Sequence, residues 1–170
     1  MSSVRRMQAR HDGSVTPLTT RRLGPGDERQ AHELFAVMAA QFDEPSEPLG
    51  DEYVVNLLSA ASFWAVAAFD GNRVVGGITA HTIPMTRSAS SELFVYDLAV
   101  HEGFRRRGVG ARLVATLRAL AAEAGIGVVF VPADEDDAHA LAFYRSMQPE
   151  ESPVSIFAWD VTATGRPGPA

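Results

Sequence analysis

The 170-residue chain is 46% hydrophobic and 21% charged, the balance of one folded domain with an ordinary core rather than of a disordered or fibrous chain. It has no cysteine, which rules out disulfides, thiolate metal ligation and a cysteine nucleophile, and its five histidines show no ligand spacing, so no metal site is expected. No apolar run approaches the roughly 18 residues of a membrane span, and the N-terminus lacks the basic-then-apolar order of a secretory signal; no membrane partner is expected, and the cytoplasm is the expected location.

The formal net charge is −6, unevenly placed. Arg5, Arg6, Arg10, Arg21 and Arg22 stand against Asp12 alone in the first 22 residues, so the remainder is strongly acidic. Such a body repels nucleic acid, which is not an expected partner, and attracts cations.

Residues 1–16 are polar and aperiodic and are expected to form a disordered leader, with residues 162–170 as a disordered tail and 17–161 as the folded domain. Leu18 to Leu23 reads as a short strand. Gly24-Pro25-Gly26 breaks it, and Asp27 can cap a helix carrying Leu34, Phe35, Met38 and Phe42 at helical spacing. After the acidic, proline-broken stretch Asp43 to Pro48, Asp51 opens a second short helix with Tyr53, Val54, Leu57 and Leu58 on one side. Phe63 to Phe69 and Val74 to Ile83 are strands joined at Asp70-Gly71-Asn72, a hairpin signal because glycine and asparagine tolerate positive φ. Glu92 to Val100 is a third strand, followed by a helix from about Gly108 to Ala124 that Gly125 ends. The apolar run Gly127 to Val131 predicts a strand buried on both faces, stopped by Pro132; a helix from Ala138 to Met147 and a last strand from Ser155 to Asp160 complete the chain.

This order predicts an α/β (α+β) domain: a mixed, mostly antiparallel sheet, flanked by helices, whose strands ending at Val100 and Val131 form a central, splayed parallel pair. Ligands of such sheets bind beyond the carboxyl ends of diverging strands. Arg105, Arg106, Arg107, Gly108, Val109, Gly110 and Ala111 occupy the strand-to-helix turn at that point, where free N–H groups and the helix dipole make an anion seat. The glycines are too few for a dinucleotide-binding fingerprint, and no Walker lysine follows.

Through Arg105, Gly108 and Gly110 the turn resembles the [RQ]-x-x-G-x-[GA] motif of the GNAT superfamily of N-acetyltransferases. Asp137-Ala138-His139-Ala140-Leu141-Ala142-Phe143-Tyr144 resembles that family's later N-x-x-A-x-x-F-Y motif, with Asp137 in place of asparagine and Gln148 in place of the glycine that commonly follows. The resemblance implies acetyl-CoA as cosubstrate, gripped by the turn and by main-chain groups of Leu98, Ala99 and Val100, with Asp137 accepting from the pantetheine arm. It also implies that the Tyr144 hydroxyl protonates the departing thiolate.

An acceptor ammonium must lose a proton before it attacks, so a nearby carboxylate is expected as base. Asp97, alone in an apolar strand, is the first candidate and Glu92 the second. Asp134, Glu135, Asp136 and Asp137, with Asp43, Glu44, Glu47, Asp51 and Glu52, could give a small cationic amine an acidic groove.

Over residues 18–160 the chain is most similar to the aminoglycoside 3-N-acetyltransferases of that superfamily. That likeness rests on Asn56 to Leu58, Ala67 to Asp70, Val74 to Gly76, Tyr96 to Val100 and Ala133-Asp134. It implies direct acetyl transfer to an aminocyclitol antibiotic. A polyamine or peptide acceptor, or a non-catalytic module that binds acetyl-CoA, are the alternatives, and self-association as a homodimer stays open.

Overall fold

The computed structural model describes residues 17–41 and 47–161, so the expected leader and tail, together with Phe42, Asp43 and Glu44, lie outside the described residues. Those described divide into two units, one ending at Pro132 and one beginning at Ala133.

The first unit is a five-stranded sheet in the order β1-β2-β3-β4-β5: Thr19–Leu23, Phe63–Asp70, Arg73–Pro84, Ser91–Val100 and Val128–Phe130. The first three pairings are antiparallel and β4–β5 is parallel, the expected mixed sheet. β2 and β3 turn through Gly71 at φ 59°, where glycine carries no Cβ penalty.

One sheet face is covered by α1 (Glu28–Ala39) and α2 (Asp51–Ser59), which bury Leu34, Met38, Val54 and Leu58 against Phe63, Ala65, Ala67 and Ala99. The closest approach is at Gly77, where a Cβ would stand 2.3 Å from Leu34 Cδ1 and 2.7 Å from the Val66 carbonyl oxygen. The opposite face is covered by α3 (Val109–Glu123), whose Val109, Leu113, Leu117 and Ala121 pack on Val66, Val75, Ile78, Leu93 and Val95. Asp27 is the N-cap of α1, but its carboxylate bonds Arg21 and the Gly24 N–H and gives the helix no side-chain cap. Gly125, at φ 75°, follows the end of α3 as expected.

Two expectations are corrected. β5 has three residues and, among the described residues, pairs with β4 alone, and Val128 and Phe130 stay 49% and 39% exposed instead of being buried on both faces. Ser155 to Asp160, expected as a last strand, is not one despite its β-forming composition, and Ile156, Phe157 and Trp159 are at least 74% exposed. The second unit holds α4 (Ala138–Arg145), two residues shorter than expected. Its end is braced by Arg145, which donates twice to Glu151 at 2.9 and 2.6 Å. No helix among the described residues is long and apolar enough to cross a membrane.

Candidate active site

β4 does not alternate regularly. Val95 pairs with Ala80 and Asp97 pairs with Thr79, so Tyr96 is an extra residue in the β3–β4 ladder. Phe94, opposite His81, already lies on the α1/α2 face, and the bulge returns Asp97 to that face three residues later. Strict alternation would have pushed the carboxylate under α3, into the apolar core. Asp97 is half-buried without a hydrogen bond or ion pair to any described residue, and burial raises its pKa above the usual carboxylate value, an effect partly offset by His81.

Thr79, directly opposite Asp97, is buried, and its Oγ1 has no hydrogen-bond partner among the described residues. His81 lies next along the same face, its ring 5.4 Å from Phe63 and 5.9 Å from Tyr96. Phe94 continues the aromatic line to Phe130 at 5.4 Å. Glu92, partly exposed, stands further out, opposite Ile83 and Val128. Sequence reasoning missed Thr79 and His81, although their alternation with Ile78 and Ala80 marks a polar pair on one face of an otherwise apolar strand.

The β4–β5 pairing covers only Glu92 to Phe94. Beyond it, Leu98, Ala99 and Val100 keep their β3 partners but offer their other backbone edge to no strand among the described residues. Leu98 and Val100 turn their side chains toward α3, and Ala99 is buried on the α1/α2 side, so it is main chain that this edge presents. Gly76 permits the tight β3–β4 approach here, since a Cβ would lie 2.7 Å from the Ala99 carbonyl oxygen.

From Val100 the chain passes through a short 3₁₀ turn, Glu102–Phe104, to Gly108, the N-cap of α3, at φ 76°. Nothing lies within 4 Å of where a Gly108 Cβ would be, so the left-handed backbone, not crowding, calls for glycine. α3 has no side-chain cap, which leaves the first-turn N–H groups of Val109, Gly110 and Ala111 to an outside acceptor. Arg106 holds a positive φ of 61°, unusual for a side-chain-bearing residue. Arg105 braces the turn by donating from Nε to the Val100 carbonyl at 3.2 Å, and Arg107 lies over the Phe104 ring at 5.2 Å. All three arginines are exposed, so the turn combines free N–H groups with three surface cations and suits a diphosphate.

In the second unit, Asp137 caps α4: its Oδ1 accepts from His139 N at 3.0 Å and Ala140 N at 2.9 Å. The carboxylate expected to meet cofactor thus has one oxygen committed to its own helix. Asp134 accepts from the Asp136 N–H at 3.1 Å, which closes the acidic run into a turn with Glu135 and Asp136 exposed. Tyr144 is partly buried, its ring 5.0 Å from Phe143; burial first, and the Asp137 carboxylate second, push its phenol pKa above the ordinary 10.0. Gln148 sits at φ 54°, the left-handed conformation that suits the glycine it replaces.

Of the remaining carboxylates, Glu47 and Glu52 are exposed, while Asp51 Oδ1 lies 3.0 Å from His32 Nε2.

A parallel strand pair that parts after Phe94, followed by a glycine turn and an uncapped helix, is the scaffold of an acyl-CoA-dependent transferase. The model of the acetyltransferase (GNAT) family matches residues 30–148, and the chain belongs to that family. It is an acetyl-CoA-dependent N-acetyltransferase. No curated protein sequence matches it.

Among solved structures, it is similar to the aminoglycoside acetyltransferase meta-AAC0020 from an uncultured soil metagenomic sample, with 31% identity and a TM-score of 0.80 over 85% of this chain and 96% of that one. That enzyme has been solved in complex with sisomicin. A second soil metagenomic aminoglycoside acetyltransferase, HMB0005, is 28% identical over 85% of this chain and 99% of its own, with a TM-score of 0.74. A ribosomal-protein-alanine N-acetyltransferase from Brucella melitensis biovar Abortus 2308 shares the fold at 19% identity and a TM-score of 0.68, over 85% of this chain and 99% of that one.

Proposed function

We propose that the chain acetylates an amino group of an aminoglycoside antibiotic, the 3-amino group of its aminocyclitol ring, by direct transfer from acetyl-CoA. The observation that carries this reading is the 31% identity, over nearly the whole length of both folds, to an acetyltransferase solved with sisomicin.

The thioester supplies an activated acetyl group, and the chain's own residues do the rest. The N–H groups from Arg106 to Ala111, with the guanidinium groups of Arg105, Arg106 and Arg107, hold the diphosphate. The free edge of Leu98, Ala99 and Val100 pairs with the pantetheine amides, and the uncommitted oxygen of Asp137 accepts one of them. Asp97 helps deprotonate the acceptor: its half-buried carboxylate has no competing partner among the described residues and can hold the ammonium while the proton leaves. Glu92, Glu44, Asp134, Glu135 and Asp136 attract the polycation. Tyr144, held protonated by burial and by Asp137, is the acid for the leaving thiolate.

The test is a coenzyme A release assay with gentamicin, sisomicin, spermidine and an N-terminal alanine peptide, followed by product NMR. Release with the aminoglycosides and a shifted ring C3–H signal are expected. Release with spermidine or peptide alone would move the acceptor class, a 6′-N product would move the regiochemistry, and silence with every amine would overturn the reading.

A further inference from the structure

We propose that His81 receives the proton of the acceptor ammonium, with Asp97 and the Thr79 hydroxyl completing the pocket that holds that ammonium. The inference rests on the acetyl-transfer reading and assigns the proton acceptor within it to a residue the family motifs do not contain.

Three polar side chains share one end of the α1/α2 face of the sheet. Asp97 and Thr79 stand directly opposite each other in the β3–β4 register, and His81 follows Thr79 by one same-face step. Thr79 is 5% exposed, and its Oγ1 finds no partner among the described residues. A buried hydroxyl left unpaired costs about 1–3 kcal/mol, so a site that keeps one has reason to receive a donor there. An R–NH3+ group supplies three: to the Asp97 carboxylate, to Thr79 Oγ1 and to the imidazole nitrogen.

His81 suits the third. Its ring is held between Phe63 and Tyr96, which fixes its plane without spending a ring nitrogen on a hydrogen bond. Asp97 is within electrostatic reach of His81, which lowers the carboxylate pKa against the effect of burial, but the two form no ion pair. Asp97 and Tyr96 are the titratable neighbours on β4, with Glu92 further out, whereas β2 presents Phe63, which has none. The exposed rings of Tyr96 and Phe130, linked through Phe94, offer apolar surface beside these groups against which a sugar ring can lie.

The step balances. A neutral imidazole nitrogen takes one proton from R–NH3+ and leaves R–NH2, whose lone pair forms the N–C bond as the C–S bond breaks. The second nitrogen proton ends on the sulfur, and the first passes from His81 to solvent. Asp97 orients the ammonium and offsets the transient imidazolium charge.

Two variants test this in the full chain with an aminoglycoside acceptor. His81→Phe keeps the ring stacking and removes the nitrogens, and His81→Gln keeps a polar side chain without a base. Both are expected to lower kcat/KM for the amine about 100-fold at pH 7 while leaving the KM for acetyl-CoA within twofold. The deficit should shrink as the pH rises, because more acceptor then arrives as free amine, and added imidazole should restore part of the His81→Gln activity. A loss of kcat/KM under threefold in a folded variant, or an equal loss at every pH, would overturn the assignment; a thermal melt identifies a variant that has not folded, and the other then decides. Wild-type chain that acetylates no amine overturns the acetyl-transfer reading itself, whereas active wild type with unaffected variants overturns only the role of His81.

Discussion

Asp97 faces Thr79 across the β3–β4 ladder, a carboxylate against a buried hydroxyl, and neither has a hydrogen-bond partner among the described residues. Thr79→Val replaces the hydroxyl with a methyl group of similar size. Urea unfolding should show the variant about 1 kcal/mol more stable, since an unsatisfied buried group is removed, while the KM for the amine should rise severalfold. Loss of stability would mean that the hydroxyl has a partner in solution.

Asp97→Asn should separate stability from activity. Burial raises the native pKa of Asp97 above its unfolded value, so the native state binds the proton more readily. The destabilisation is absent below the unfolded pKa and grows as the pH rises through the raised native one. The asparagine variant should therefore gain stability over wild type at pH 7 and lose that advantage by pH 3. Its kcat should fall about 10²-fold or more, and undiminished turnover would remove Asp97 from the chemistry.

Tyr144→Phe should lower kcat about 10- to 100-fold with little change in acetyl-CoA affinity, as expected of an acid needed only at the leaving group. Because its pKa is shifted upward, Tyr144 should contribute no alkaline fall in kcat until the pH exceeds 10. Equal losses in turnover and in cofactor affinity would make the residue a packing element.

Gly77→Ala tests the seat of α1. The new methyl would meet Leu34 Cδ1 at 2.3 Å and a backbone carbonyl at 2.7 Å, and only the leucine can move. A loss of about 1–3 kcal/mol is expected in denaturant unfolding; a neutral result would show that α1 shifts freely.

Gln148→Gly tests the left-handed position after α4. A side-chain-bearing residue at φ 54° is strained, and glycine is not. The substitution should stabilise the chain by about 0.5–1 kcal/mol, read as a rise in Tm, with kcat unchanged within twofold.

Local order explains what could be read before the fold was seen. The hairpin at Gly71, the glycine that starts α3 and the one that follows it, and the spacing of Leu34 and Met38 all report short-range physics: positive φ, helix ends and a 3.6-residue period. The Arg105 to Ala111 turn was legible for the same reason, because a glycine turn at a helix start is built from consecutive residues. Asp27 shows the limit of this reasoning, since a good capping residue was drawn instead to Arg21 on β1.

The sequence by itself determined the order of strands and helices up to α4, the turn with its three arginines and the family they mark. Tertiary structure decided which way Asp97 points, because a single extra residue at Tyr96 moves it from the α3 core to the face it shares with Thr79 and His81. Pairing between strands is a contest among distant segments, and composition does not settle it. For that reason Val128 and Phe130 remain partly exposed at an edge, and the apolar run from Ser155 to Asp160 never becomes a strand.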